Sequence, residues 1–282
     1  STVQDGVILG NNLYIAVSKS NTIEVVNKNT LVSVVQIVPT PAQGNTPRDI
    51  VTDGKYVYVS MYTGVVSRID PSTNTIDKTV AVGPNPEEMV IVNKSLYVTN
   101  SDGNNYNAGY ANGKSVSKIS LSDFVEEKKI AVGLNPTKIT ADALGNVLVL
   151  CMGDYSATPA TVWKINAEDE ATSMNIPATI MDIKDNSLYV INAPYGAPSI
   201  TYTVYNTSSG AVEKENFVSA PVDAPAGIAV HSDGRIFITS YTLVGGFASY
   251  KTPGYVSEYS SDGTFVKKYD VGVGAVSMTF LK

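Results

Sequence analysis

One stretch constrains this chain more than any other, because it keeps returning. NPEEMVIVNKSLYVTN, Asn85 to Asn100, reads as a proline-marked loop, a short apolar strand, a polar turn and a second strand that ends in a polar residue. Copies run from Thr46 to Ser60, Asn135 to Cys151, Pro177 to Asn192 and Ala224 to Ser240, and Val3 to Val17 fits without the proline. A last half copy, AVSMTFLK, runs from Ala275 to Lys282. The anchors Val3, Pro47, Pro86, Pro136, Pro177, Pro225 and Ala275 recur roughly every 40 to 50 residues, the range of repeats built as four-stranded blades. The sequence therefore predicts an all-β fold, a β-propeller.

Each repeat supplies four strands, here called a to d. In the second repeat strands c and d are GVVSRIDPST (Gly64 to Thr73) and NTIDKTVAV (Asn74 to Val82). Strand a is nearly all apolar, as expected of a strand buried on both faces, while strand d carries Lys, Asp and Glu that guard an outer edge. Six complete units and seven copies of strand a are present. The usual closure of a propeller would need about 35 residues before Val3, so a seven-bladed parent lacking an N-terminal partial blade is favoured over a six-bladed ring. With the repeat running end to end, residues 1–282 are expected to form one domain.

Short polar turns such as Asp53-Gly54 and Asp233-Gly234 join a to b at one end, where they serve the hairpins. The opposite end carries the longer b-to-c loops, which begin at Ser18, Met61, Asn100, Met152, Asn192 and Ser240. Long loops on a rigid scaffold are where function concentrates. They hold Tyr62, Tyr106, Tyr110, Tyr155, Tyr195, Tyr241, Phe247, Tyr250 and Tyr255. Tyrosine offers a wide, rigid, amphipathic surface suited to a flat polar and apolar ligand, although some of these rings could simply pack their own loops. Arg48 and Asp49, Glu87 and Glu88, and Thr137 and Lys138 follow the anchoring prolines and should ring the channel mouth, where they either orient a ligand or form a solvated rim.

Other chemistries find little support. A formal charge of −6 without a basic stripe argues against nucleic acid. The single histidine, His231, falls at an a-to-b turn, away from the long loops, and the single cysteine, Cys151, reads as a buried small apolar residue. One His and one Cys cannot build a zinc cluster, and Asp102, Asn104, Asn105 and Asn107 lack the order of a calcium loop, so no metal or other cofactor is expected. Glu168, Asp169 and Glu170 read as a solvated c-to-d turn.

LYIAVSKSNTIEVVNKNT (Leu13 to Thr30), VYVSMYTGVVSRIDPSTNTIDKTVAVGPNPEEM (Val57 to Met89) and LYVTN (Leu96 to Asn100) resemble the YncE-like propellers, and more narrowly the DUF5074 surface lipoproteins of Bacteroidetes-type bacteria. The resemblance implies an exported, surface-anchored, non-catalytic binding protein, held to the outer membrane by a lipid anchor that this sequence does not contain. In one branch of that group, propellers capture corrinoids such as vitamin B12 and pass them to a TonB-dependent transporter. The alternatives are a surface scaffold that binds protein or glycan through the same loops, and a propeller lactonase or lyase.

Overall fold

The computed structural model describes residues 2–196 and 199–280. It contains six four-stranded antiparallel sheets, five of them built from four consecutive strands and the sixth interrupted by a small hairpin. The first comprises β1 (Val3–Leu9), β2 (Asn12–Val17), β3 (Thr22–Asn27) and β4 (Ser33–Ile37), and the second β5 (Pro47–Thr52), β6 (Val57–Met61), β7 (Val65–Asp70) and β8 (Thr75–Ala81). The third holds β9 (Pro86–Val92), β10 (Ser95–Asn100), β11 (Ser115–Ser120) and β12 (Val125–Ala131). The fourth holds β13 (Pro136–Ala141), β14 (Val147–Cys151), β15 (Thr161–Ile165) and β16 (Ala171–Pro177). Next come β17 (Ile180–Lys184), β18 (Ser187–Asn192), β19 (Thr201–Asn206) and β20 (Val212–Glu215). In the sixth sheet, β21 (Pro225–Val230) and β22 (Ile236–Ser240) are followed by a small hairpin, β23 (Leu243–Val244) and β24 (Phe247–Ala248), before β25 (Tyr255–Tyr259) and β26 (Phe265–Asp270).

The chain divides into two compact units, one built from Ser1–Ala141 and Gly145–Asn175, the other from Asp142–Leu144 and Ile176–Phe280. In the first unit the core lies between successive blades. Tyr14, Ile23 and Val25 pack on Ile50, Val57 and Val59; Tyr58 and Val66 pack on Leu96, Val98 and Phe124; Tyr97 and Val116 pack on Val147, Val149 and Cys151. Because side chains alternate along a strand, Val57 and Val59 of β6 face the first blade while Tyr58 faces the third. In the second unit Ile180, Ile191, Tyr202 and Phe217 meet Ile236, Ile238, Tyr255 and Tyr259.

Two expectations change. In the second and fourth blades the strand buried on both faces is the second, since β6 and β14 are buried at every position, whereas the first strands β9 and β13 mix buried and half-buried positions. First strands stand side by side in the first unit and carry polar groups there, among them the buried Asp49 and Glu87. The seventh copy of strand a is also not a strand over its described residues. Residues 275–280 lie instead against the sixth blade, with Val276 O so close to Gly227 that a Cβ there would stand 2.0 Å away. The Phe280 ring sits 4.8 Å from His231 and 5.3 Å from Phe237. No seventh blade is present among the described residues.

Candidate functional site

The first unit gathers its polar groups where the first strands begin. Here the strands share an irregularity: between Val3 and Asp5, Pro47 and Ile50, Pro86 and Met89, and Pro136 and Lys138, the first strand carries one residue more than its partner. A bulge of this kind re-aims side chains and tightens the local twist. It brings Asp5, Arg48, Asp49, Glu87, Glu88 and Lys138 into one network that strict alternation would have split between two faces.

Within that network the charges are already matched. Arg48 donates to Glu87 Oε2 from Nε at 2.8 Å and Nη2 at 2.5 Å, and to Gln4 Oε1 from Nη1 at 3.1 Å. Lys138 pairs with Glu88, and both side chains are about a third exposed. Asp49 is buried, accepts a bond from Met89 N at 2.7 Å through Oδ2, and hydrogen-bonds the Asp5 carboxyl. Its own N–H donates to Ser60 Oγ at 3.0 Å, and that hydroxyl donates to Glu87 O at 2.6 Å, which joins the second blade to the third.

Burial sets the titration of these groups. It pushes Asp49 well above the usual carboxylate range, with the Asp5 and Glu88 charges adding to the effect, and it raises Asp5 against the lowering influence of the bond from Asp49. Burial also raises Glu87, outweighing Arg48. It works against the Lys138 charge, yet the carboxylates of Glu88, Asp49 and Asp5 hold that ammonium above its ordinary value.

Three of the expected tyrosines belong to the same unit, and Tyr62 and Tyr155 both feel the Glu87 charge. Tyr62 is half-buried, lies 5.0 Å beneath the Arg48 guanidinium, and hydrogen-bonds Ser101 and Glu87; burial and the Glu87 charge push its phenol up to about 12. Tyr110 and Tyr155 meet edge to face at 6.2 Å. The Tyr155 hydroxyl reaches the Asn135 side chain, and its phenol is raised by burial, Tyr110 and Glu87. Tyr155 is nonetheless 64% exposed.

Both rings of this pair sit on strained backbone, with φ +56° at Tyr110 and +58° at Tyr155. A bulky L-residue in the left-handed region is a rare outlier costing about 1–3 kcal/mol, and such strain clusters at ligand clamps. The loops over-determine it. Asn112 N and Asn105 Nδ2 both donate to Asp102 Oδ2, Gly113 N donates to Tyr110 O at 2.9 Å, and Asn135 N donates to Gly113 O at 2.7 Å. Gly113 passes so close to Ser101 O that a Cβ would stand 2.0 Å from it. Asp154 Oδ1 accepts from Ser156 N and Thr158 N around Tyr155.

The remaining expected residues fall elsewhere. Tyr106 lies in the same loop as Tyr110 but points outward, 62% exposed. Tyr195, Tyr241, Phe247, Tyr250 and Tyr255 belong to the second unit, where Tyr241 and Tyr250 pair at 4.9 Å and Tyr255 is buried in the core. Tyr195 opens a loop whose residues 197 and 198 lie outside the described ones.

Asp169 departs from the solvated turn expected of it. It is mostly buried, accepts from Lys118 Nζ at 2.9 and 3.1 Å and from Tyr97 OH at 3.4 Å, and so clamps the fourth blade to the third. Cys151 is buried as expected, which pushes its thiol up to about 12. His231 pairs with Asp233 at its turn, 2.8 Å away. Asp5 was missed because its repeat lacks the marking proline, and Asn135 because it reads as a turn residue.

No protein-family model matches the chain, and no curated protein does. Solved structures do. The chain is similar to a computationally designed protein, Ika8 (12% identity, TM-score 0.68, all of this chain and 79% of that one), and to the hydrazine synthase of Kuenenia stuttgartiensis (15% identity, TM-score 0.67, 90% and 74%). It is also similar to the WD40 β-propeller domain of Doa1 (10% identity, TM-score 0.66, 97% and 83%). At such identities the likeness speaks for the fold alone, and the fold is an all-β β-propeller of six four-stranded blades.

Proposed function

We propose that the chain is a non-catalytic binding protein that holds a flat, amphipathic small ligand against Tyr110 and Tyr155 of the first unit. The observation that carries this reading is the paired left-handed backbone of those two residues, strain maintained by loop bonds to present two rings. Arg48, Glu87, Glu88 and Lys138 then act as a polar floor. Their mutual pairing favours orientation of a ligand over proton transfer, because each carboxylate is already engaged. A corrinoid is the first cargo to try, on the strength of the sequence resemblance. Surface anchoring, export, a seven-bladed parent and delivery to an outer-membrane TonB-dependent transporter belong to the same proposal.

The test is thermal unfolding with a panel of corrinoids and glycans. A ligand that binds the folded state alone stabilises it by mass action, by about 2.7 kcal/mol at a hundredfold excess over its Kd, and so raises the midpoint. A shift seen with the parent and lost in Tyr110→Ala supports capture at this site. No shift with any member would move the reading to a scaffold that binds protein through the same loops.

A further inference from the structure

The second unit carries a feature that ligand capture in the first does not use. From Ile236 to Tyr250 the sequence has no charged residue, and this run leaves the sixth blade as the projecting β23–β24 hairpin. Gly245 and Gly246 turn it with φ +61° and +85°, the left-handed pair that a two-residue hairpin loop demands. Leu243 faces Ala248 and Val244 faces Phe247 across the ladder. Ser249 N closes the base on Thr242 O at 2.9 Å, and Thr242 Oγ1 donates to Pro253 O at 2.8 Å.

We propose that this hairpin is a membrane-surface probe, whose tip of Leu243, Val244 and Phe247 enters the interfacial layer of a lipid bilayer. Three observations converge on lipid. The tip is apolar and open to solvent, with Val244 58% and Phe247 71% exposed. Its two short strands pair with each other, and because their outer edges stay open the tip goes no deeper than the hydrated interfacial layer. At its base stand an edge-to-face pair, Tyr241 and Tyr250, followed by Lys251, the aromatic and basic residues that settle at the headgroup level. With a protein charge of −6, a zwitterionic surface suits the hairpin better than an anionic one.

The whole chain is mixed with phosphatidylcholine vesicles and sedimented. The parent is expected in the pellet, and Val244→Ser with Phe247→Ser is expected to lower partitioning by about tenfold or more through loss of buried apolar area. Both side chains are exposed, so far-ultraviolet circular dichroism should be unchanged. In Phe247→Trp, fluorescence beyond that of Trp163 should shift to the blue and be quenched by brominated acyl chains. A parent that stays in the supernatant, or a double variant that pellets like the parent, overturns the proposal. So does a parent dimer that the double variant abolishes without any vesicle binding, since a second copy would then cover the tip. The ligand panel reads the first unit and is independent of every one of these outcomes.

Discussion

Arg48 grips Glu87 through two nitrogens on one carboxylate oxygen, Nε at 2.8 Å and Nη2 at 2.5 Å, across the boundary between the second and third blades. Glu87 is the more buried partner and also receives Tyr62, so the pair fixes both the floor of the site and one of its rings. Arg48→Ala should therefore destabilise the fold by about 2–3 kcal/mol, chiefly because it strands a buried carboxylate. Adding Glu87→Gln should recover part of that loss in a double-mutant cycle by urea unfolding. Additive losses would show that the pair contributes no coupling.

Asp49 and Asp5 make stability fall as pH rises. Both carboxyls are held above their ordinary value in the folded chain, so the folded state keeps protons that the unfolded state has released, and stability declines with pH from the ordinary aspartate range upward. Asp49→Asn retains an acceptor for Met89 N and offers a donor to Asp5. It should flatten this slope and raise the thermal midpoint at neutral pH. A variant whose profile parallels the parent's would place the pH dependence in other groups.

Tyr110 and Tyr155 trade stability for presentation. Replacing either by glycine removes the φ penalty along with the ring, so Tyr155→Gly should leave stability unchanged or raise it by up to about 1 kcal/mol, while ligand binding falls about tenfold with the lost aromatic contact. Calorimetric titration beside thermal unfolding separates the two effects. A drop of several degrees in the midpoint would mean that the ring supports the loop instead of being displayed by it.

Asp169 clamps two blades, and the consequence of losing it falls on Lys118. That ammonium is 19% exposed; burial opposes its charge and the bonds to Asp169 restore it. Asp169→Ala should cost about 1–3 kcal/mol, and Lys118→Met in the same chain should recover much of it by removing the stranded charge. Urea midpoints of the single and double variants decide this.

Much of the fold was legible from spacing alone. Apolar alternation, paired turn residues such as Asp53-Gly54 and the recurring prolines specify hairpins and their order, because strand pairing between neighbours in sequence follows local chemistry. Burial was misassigned by one strand, since the apolar first strand and the apolar second strand look alike in sequence. Only packing shows that Val57 and Tyr58 face different neighbouring blades. The half copy at Ala275 looked like a further strand for the same reason: pattern reports a capacity to pair, and a partner edge has to be available.

For the site, residue order was enough to give the residue types and the end of the blades that carries them. The long loops, the tyrosines and the polar residues after each proline were all in view. Tertiary structure decided which of them act together. One extra residue in β5 and in β9 turns Asp49, Glu87 and Glu88 toward partners from other blades, and the register of a bulge is set by tertiary pairing that no local pattern encodes. It also decided that Tyr62 lies beneath Arg48 while Tyr110 and Tyr155 pack edge to face on strained backbone, because backbone strain is held in place only by contacts made elsewhere in the fold.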